Sequence, residues 1–151
     1  MKNNDFNRID VVSLRIVKER EYKYQDENVS NPNIAAKIIK DCIGDLDREN
    51  MVVLCLSSKN QITSINFSST GILNASLAHP REIFKTAVIA NANSIILGHN
   101  HPSGEADPSG EDEKITRRIA DAGDLLGIKL LDHIIVSHNE DHFSFRKEGL
   151  I

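Results

Sequence analysis

Positive charge is in short supply in this 151-residue chain: 18 lysines and arginines face 22 acids, for a net charge of −4. That withholds the basic footprint on which nonspecific nucleic-acid binding rests. Cysteine is scarce too. Cys42 and Cys55 are the only two, and they form no C-x-x-C pair. A disulfide framework is therefore not expected, and both thiols read as small buried hydrophobes in a reducing compartment. Long apolar runs are missing. The longest, such as residues 51–56, fall far short of a bilayer's thickness, so no membrane partner is expected. The opening MKNNDFNRID has no apolar centre and does not read as a signal peptide. There is no internal repeat and no low-complexity tract. The expectation is a cytoplasmic protein.

What is present suits one globular domain: 40% hydrophobic and 26% charged residues in a chain of this length. Residues 1–9 read as a polar lead-in. Residues 10–18 alternate, with Val12, Leu14 and Ile16 on one side and Ser13 and Arg15 on the other, which predicts a strand. As an edge strand it would be open to pairing with a second copy, making a homodimer. Asn31-Pro32 starts a helix whose apolar stripe runs Ile34, Ala35, Ile38, Ile39, Cys42, Ile43, Leu46. Residues 51–56 form a buried strand, Lys59-Asn60 a hairpin turn, and 62–67 the returning strand. Another strand is expected at 71–77. Pro80 opens a second helix carrying Ile83, Phe84, Ala87, Val88 and Ala90. Residues 94–97 form a short buried strand. A third helix from Ser109 to Leu126 turns Ile115, Ile119, Ala122 and Leu126 inward and ends at Gly127. Strands at 128–137 and 143–145 finish an α/β domain with a mixed, largely antiparallel sheet flanked by helices.

The stretch that carries chemistry is GHNHPSGEADPSGED, residues 98–112. His99 and His101 stand two apart. On extended backbone both imidazoles project to one side, where they could share an ion. Asp112 is the candidate third ligand, brought back by the Pro/Gly-rich loop and held on the first turn of a helix. Two histidines and a carboxylate with one open position match hydrolytic zinc sites. Ser109 lies one turn earlier, where its hydroxyl could face the metal. The pair Ser109-x-x-Asp112 is equally a helix start signal, with serine as cap and an acid three residues on. Local spacing names no general base. His79, His138 and His142 read as ordinary histidines. The letters H-N-H at 99–101 do not make a nuclease, because that motif spreads its residues over a hairpin and helix.

The pattern His99, His101, Pro102, Ser109, Asp112 resembles the JAMM (MPN-plus) metalloprotease signature. The segments HPREIFKTAVIANANSIILGHNHPSGEADPSGED and LGIKLLDHIIVSH resemble the RadC-like JAB domain, over residues 30–151. The resemblance implies a cytidine-deaminase-like fold, with one Zn²⁺ held by His99, His101 and Asp112. It also implies a glutamate ahead of the first core strand as general base, which DRENMVVLCLSSKNQI assigns to Glu49. Glu82 in HPREIF competes but precedes a helix. Ser109 would stabilise the oxyanion, and His133 in LLDHIIV would either support a metal ligand or pack, with packing preferred. The deaminase signature H-x-E…P-C-x-x-C is absent, which disfavours base deamination. RadC-type proteins also carry a helix-hairpin-helix module, and no such module fits residues 1–29. The function implied is a zinc metallopeptidase acting on a peptide or isopeptide bond of a protein substrate. The alternative is a non-catalytic binding or regulatory factor in DNA processing or on a mobile element. Nucleic acid enters through the family name alone.

Overall fold

A computed structural model describes residues 7–25, 28–70, 78–139 and 141–151. The elements in order are α1 (Pro32–Ile43), β1 (Asn50–Leu56), β2 (Ile62–Thr70), α2 (Pro80–Ile89), β3 (Ser94–His101), α3 (Gly110–Leu126), β4 (Lys129–Ser137) and β5 (His142–Ser144). Among the described residues five strands form one sheet in the order β2-β1-β3-β4-β5. Only β3 and β4 run parallel, joined through α3, and the other neighbours are antiparallel. The mixed, mostly antiparallel α/β domain expected from the sequence is what forms.

Local chemistry explains where each helix begins. Asn31 caps α1, its side-chain oxygen accepting from Asn33 N at 2.9 Å and Ile34 N at 3.3 Å, with Pro32 behind it. His79 caps α2: its Nδ1 accepts from Arg81 N at 3.1 Å, a role the sequence had not suggested. Gly127 ends α3 in the left-handed region, at φ 70°.

The sheet has two buried faces, which is why β1 is buried at every position and apolar throughout from Met51 to Leu56, not only at alternate residues. Met51, Val53, Cys55, Ile95 and Leu97 pack with α2 and α3. Val52, Leu54, Leu56 and Ile96 pack with α1 through Ile38, Ile39 and Ile43. Gly98 allows α1 to lie this close. A Cβ there would stand 2.6–2.7 Å from three side-chain carbons of Ile39.

A bulge in β4 changes which way its residues face. Ile95 pairs with Leu130, but Ile96 pairs with Asp132, so Leu131 is an extra residue. Leu130 belongs to the α2/α3 core, whereas Ile134 and Val136 belong to the α1 core. Strict alternation from Leu130 would have put all three on one side. The bulge therefore turns His133 towards α3.

Two expectations change. Residues 10–18 are not a strand, and Val11, Val12, Leu14 and Val17 are at least three-quarters exposed. Alternation alone does not make a strand; its backbone must pair with another, and among the described residues none pairs with this segment. Leu46, Val88 and Leu126 lie on the surface and not on inner stripes, the first beyond the end of its helix. The strand read at 71–77 lies outside the described residues. Both cysteines are free, Cys55 buried and Cys42 half-buried. Among the described residues no helix is long and apolar enough to cross a membrane.

Candidate metal centre

β3 continues past Leu97 to His101, so the two histidines sit on paired strand backbone. Alternation puts both on the α3 side of the sheet. His99 is fully buried and His101 partly so. The chain then turns back. Gly104 N donates to His101 O at 3.1 Å, and Gly104 takes φ 94°, which favours glycine. Asn139 Nδ2 donates to Gly104 O at 2.9 Å and ties this loop to the end of β4.

The loop ends in a capping box. Ser109 Oγ accepts from Asp112 N at 3.1 Å, and Asp112 Oδ2 accepts from Ser109 N and from Ser109 Oγ, each at 2.7 Å. The carboxylate sits at the positive end of α3. It is also aimed at the histidines. Asp112 Oδ1 lies 3.3 Å from His99 Nε2, Asp112 Oδ2 lies 3.5 Å from His101 Nε2, and the two Nε2 atoms are 2.9 Å apart. One donor atom from each of the three residues falls within 4.8 Å of the others.

The donor chemistry fits a metal ion. His101 Nδ1 is 2.9 Å from Glu105 O, a carbonyl that only accepts, so Nδ1 carries the proton and Nε2 presents a lone pair. With neutral rings, a carboxylate oxygen and imidazole nitrogens converge as acceptors, an arrangement that repels unless a proton or a metal cation stands among them. Nitrogen ligands about 2.0–2.1 Å from a tetrahedral zinc lie about 3.3 Å from each other, close to the observed spacings.

Electrostatics agree. Burial works against the charge on Asp112, but the adjoining His101 and His99 rings outweigh it and hold the carboxyl far below its ordinary range. The Asp112 hydrogen bond is the main reason that His101 is more basic than usual. Burial opposes this, and the Glu105 carbonyl and the charges of Asp112 and Glu49 support it.

Glu49 is thus close enough for its charge to reach His101. It is half-buried, immediately before β1. Its place is set by Asn100, the residue between the two histidines, which is fully buried. Asn100 Oδ1 accepts from Asn50 N at 2.7 Å, and Nδ2 donates to Arg48 O at 2.9 Å and Leu46 O at 3.2 Å. The peptide groups on both sides of Glu49 are gripped by one side chain. In the sequence Asn100 reads only as a spacer. Glu82, the competing acid, pairs with Lys85 at 2.8 Å and Arg81 at 3.8 Å on the surface of α2.

His133 proves to be more than packing. It stacks on Phe145, with ring centroids 4.9 Å apart, and also bonds both His99 and Thr116. Complete burial holds it neutral, well below the ordinary histidine range, and repulsion from His99 adds to this. Asp132 accepts from His133 N, Arg146 N and Ser144 Oγ, fixing β4 to β5 beside the site. Thr116 was legible in principle, since it follows Asp112 by one helical turn and shares its face. A separate apolar groove of about 360 Å³ runs beside α2, lined by Leu14, Phe84, Val88 and Leu126 among others, and includes none of the three ligand residues.

A five-stranded mixed sheet with an H-x-H at the end of β3 and an aspartate on the first turn of α3 defines a JAB/MPN-type domain. Residues 29–150 match the RadC-like JAB domain family, and the chain belongs to it. It is 44% identical over 123 residues to a UPF0758 protein of Rubrobacter xylanophilus, covering 82% of this chain and 53% of that one. A UPF0758 protein of Finegoldia magna is 49% identical over 120 residues, covering 80% and 53%. One from Chlorobaculum tepidum is 52% identical over 113 residues, covering 75% and 50%. The chain spans about half the length of these relatives.

Proposed function

We propose that this domain is a zinc-dependent metallopeptidase that hydrolyses a peptide or isopeptide bond in a protein substrate. The observation that carries the reading is the convergence of His99 Nε2, His101 Nε2 and the Asp112 carboxylate, with the charge of Glu49 beside them. Zinc held by these three residues would make water a nucleophile at neutral pH and polarise the scissile carbonyl. Glu49 takes the proton from the attacking water and returns it to the leaving amine. Asn100 keeps the Glu49 backbone in place while it does so. Ser109, exchanging its bond to Asp112 Oδ2, would donate a hydrogen bond from its hydroxyl to the oxyanion, keeping its proton. The two free thiols accord with a cytoplasmic setting.

Metal content and proteolysis test this reading together. Purified protein should carry close to one zinc per chain, and His99→Ala should carry far less. Glu49→Gln should keep its zinc and lose about 10²–10⁴-fold in hydrolysis of a substrate found by comparing cleavage across a proteome. Glu82→Gln should stay active. Wild-type protein with little zinc would sink the metal assignment, and an active Glu49→Gln would sink the assignment of the base.

A further inference from the structure

His99 is bonded on its far side to a buried chain of groups that the proposed chemistry does not use. His99 Nδ1 lies 2.8 Å from His133 Nε2, His133 Nδ1 lies 2.6 Å from Thr116 Oγ1, and Thr116 Oγ1 lies 2.6 Å from Asp112 O. The chain begins and ends on ligand residues: the backbone of Asp112 at one end, the ring of His99 at the other.

The direction of every bond follows from its last acceptor. Asp112 O is a carbonyl and only accepts, so the single hydroxyl proton of Thr116 goes to it. Thr116 Oγ1 must then accept from His133, which places the His133 proton on Nδ1. His133 is fully buried and its two ring nitrogens are taken up by His99 and Thr116, so it is neutral and its Nε2 is an acceptor. The only proton left to fill that bond is on His99 Nδ1. We infer that Thr116 and His133 preset His99 in its Nδ1–H form, so that its Nε2 lone pair faces His101 and Asp112.

With the opposite polarity, His99 would point an Nε2–H into the cluster and block its own ligand position. His133 is thus a positioning residue, itself held by Asp132 Oδ1 on its backbone N at 2.8 Å and by the Phe145 stack. The tautomer stands on the hydrogen-bond geometry alone; only its consequence for binding rests on the metal reading above.

The two parts are measured separately. In protein labelled with ¹⁵N-histidine and kept metal-free, two-bond ¹H–¹⁵N correlations read the His99 tautomer. Zinc affinity is read by competition with a chromophoric chelator. Wild type should show His99 as Nδ1–H. His133→Phe, which keeps a ring against Phe145, should lose that preference and bind zinc about 10–100-fold more weakly. His133→Gln should restore both, since its carboxamide can accept from His99 and donate to Thr116. Thr116→Val, nearly the same shape, carries the test if His133→Phe does not fold, and it should weaken the preference in the same direction. Wild-type His99 in the Nε2–H form, or a His133→Phe unchanged in tautomer and affinity, overturns the relay. A wild type that binds no zinc yet shows Nδ1–H overturns the metal reading and leaves the relay standing.

Discussion

Replacing Asn100 tests whether one buried amide holds the strand end that carries Glu49. In Asn100→Ala three hydrogen bonds disappear: one from Asn50 N and two to the carbonyls of Arg48 and Leu46. Each contributes about 1 kcal/mol net, and a donor left buried without a partner costs about 1–3 kcal/mol. Water entering the vacated space offsets part of this. The expected loss is about 3 kcal/mol, measured as a shift in the urea midpoint at constant slope. For a chain of this size it equals a fall of roughly 6–12 °C in melting temperature. Asn100→Asp separates shape from polarity. It keeps the acceptor for Asn50 N but sets a second oxygen against two carbonyls, so it should be at least as unstable at neutral pH and recover when protonated. Hydrogen exchange at the Asn50 amide should accelerate in both variants. Zinc should remain at one per chain while hydrolysis falls, as in Glu49→Gln. An Asn100→Ala protein within about 0.5 kcal/mol of wild type, with a protected Asn50 amide, would refute the clamp.

Gly98→Ala drives a methyl into Ile39, and overpacking of this kind costs about 1–3 kcal/mol. Adding Ile39→Ala should return part of that loss in chemical denaturation. Ser109→Ala removes the cap of α3 and should cost about 1 kcal/mol in thermal unfolding while zinc is retained. The pH dependence should reverse with metal. His101 is raised above its ordinary 6.5, so the stability it lends metal-free protein is full below that value and is lost as pH rises through its folded-state pKa. Zinc competes with the same proton, so its affinity should increase over that window. Parallel melting-temperature profiles for zinc-loaded and metal-free protein would refute this coupling.

Much of the site was legible because its parts are close in sequence. His99, His101, Ser109 and Asp112 share one strand–loop–helix connection, where strand alternation and a capping signal suffice to bring them together. Helices were legible for the same reason: Asn31-Pro32 and Gly127 act within a turn. The failures are non-local. Residues 10–18 carry a strand pattern without a paired strand, a fact that no local pattern contains. Asn100 acts on backbone groups about fifty positions away, and nothing in its neighbours announces this. Glu49 was reached through resemblance, and its proximity to His101 comes from β1 pairing with β3, Met51 opposite His99.

His133 was misread for a different reason, and Leu131 is its source. Up to Leu130 the strand keeps one frame of inward and outward residues, and from Asp132 it keeps the other. The extra residue acts like a frameshift in the code that maps position to face. Substituting Leu131 changes one half-buried side chain. Deleting it would close the bulge: Asp132 would follow Leu130 into regular pairing with Ile96, and His133, Ile134 and Val136 would keep their present faces. At that point the chain carries one residue more than the pairing uses, and counting it in the alternation is what reverses the reading of every residue after it.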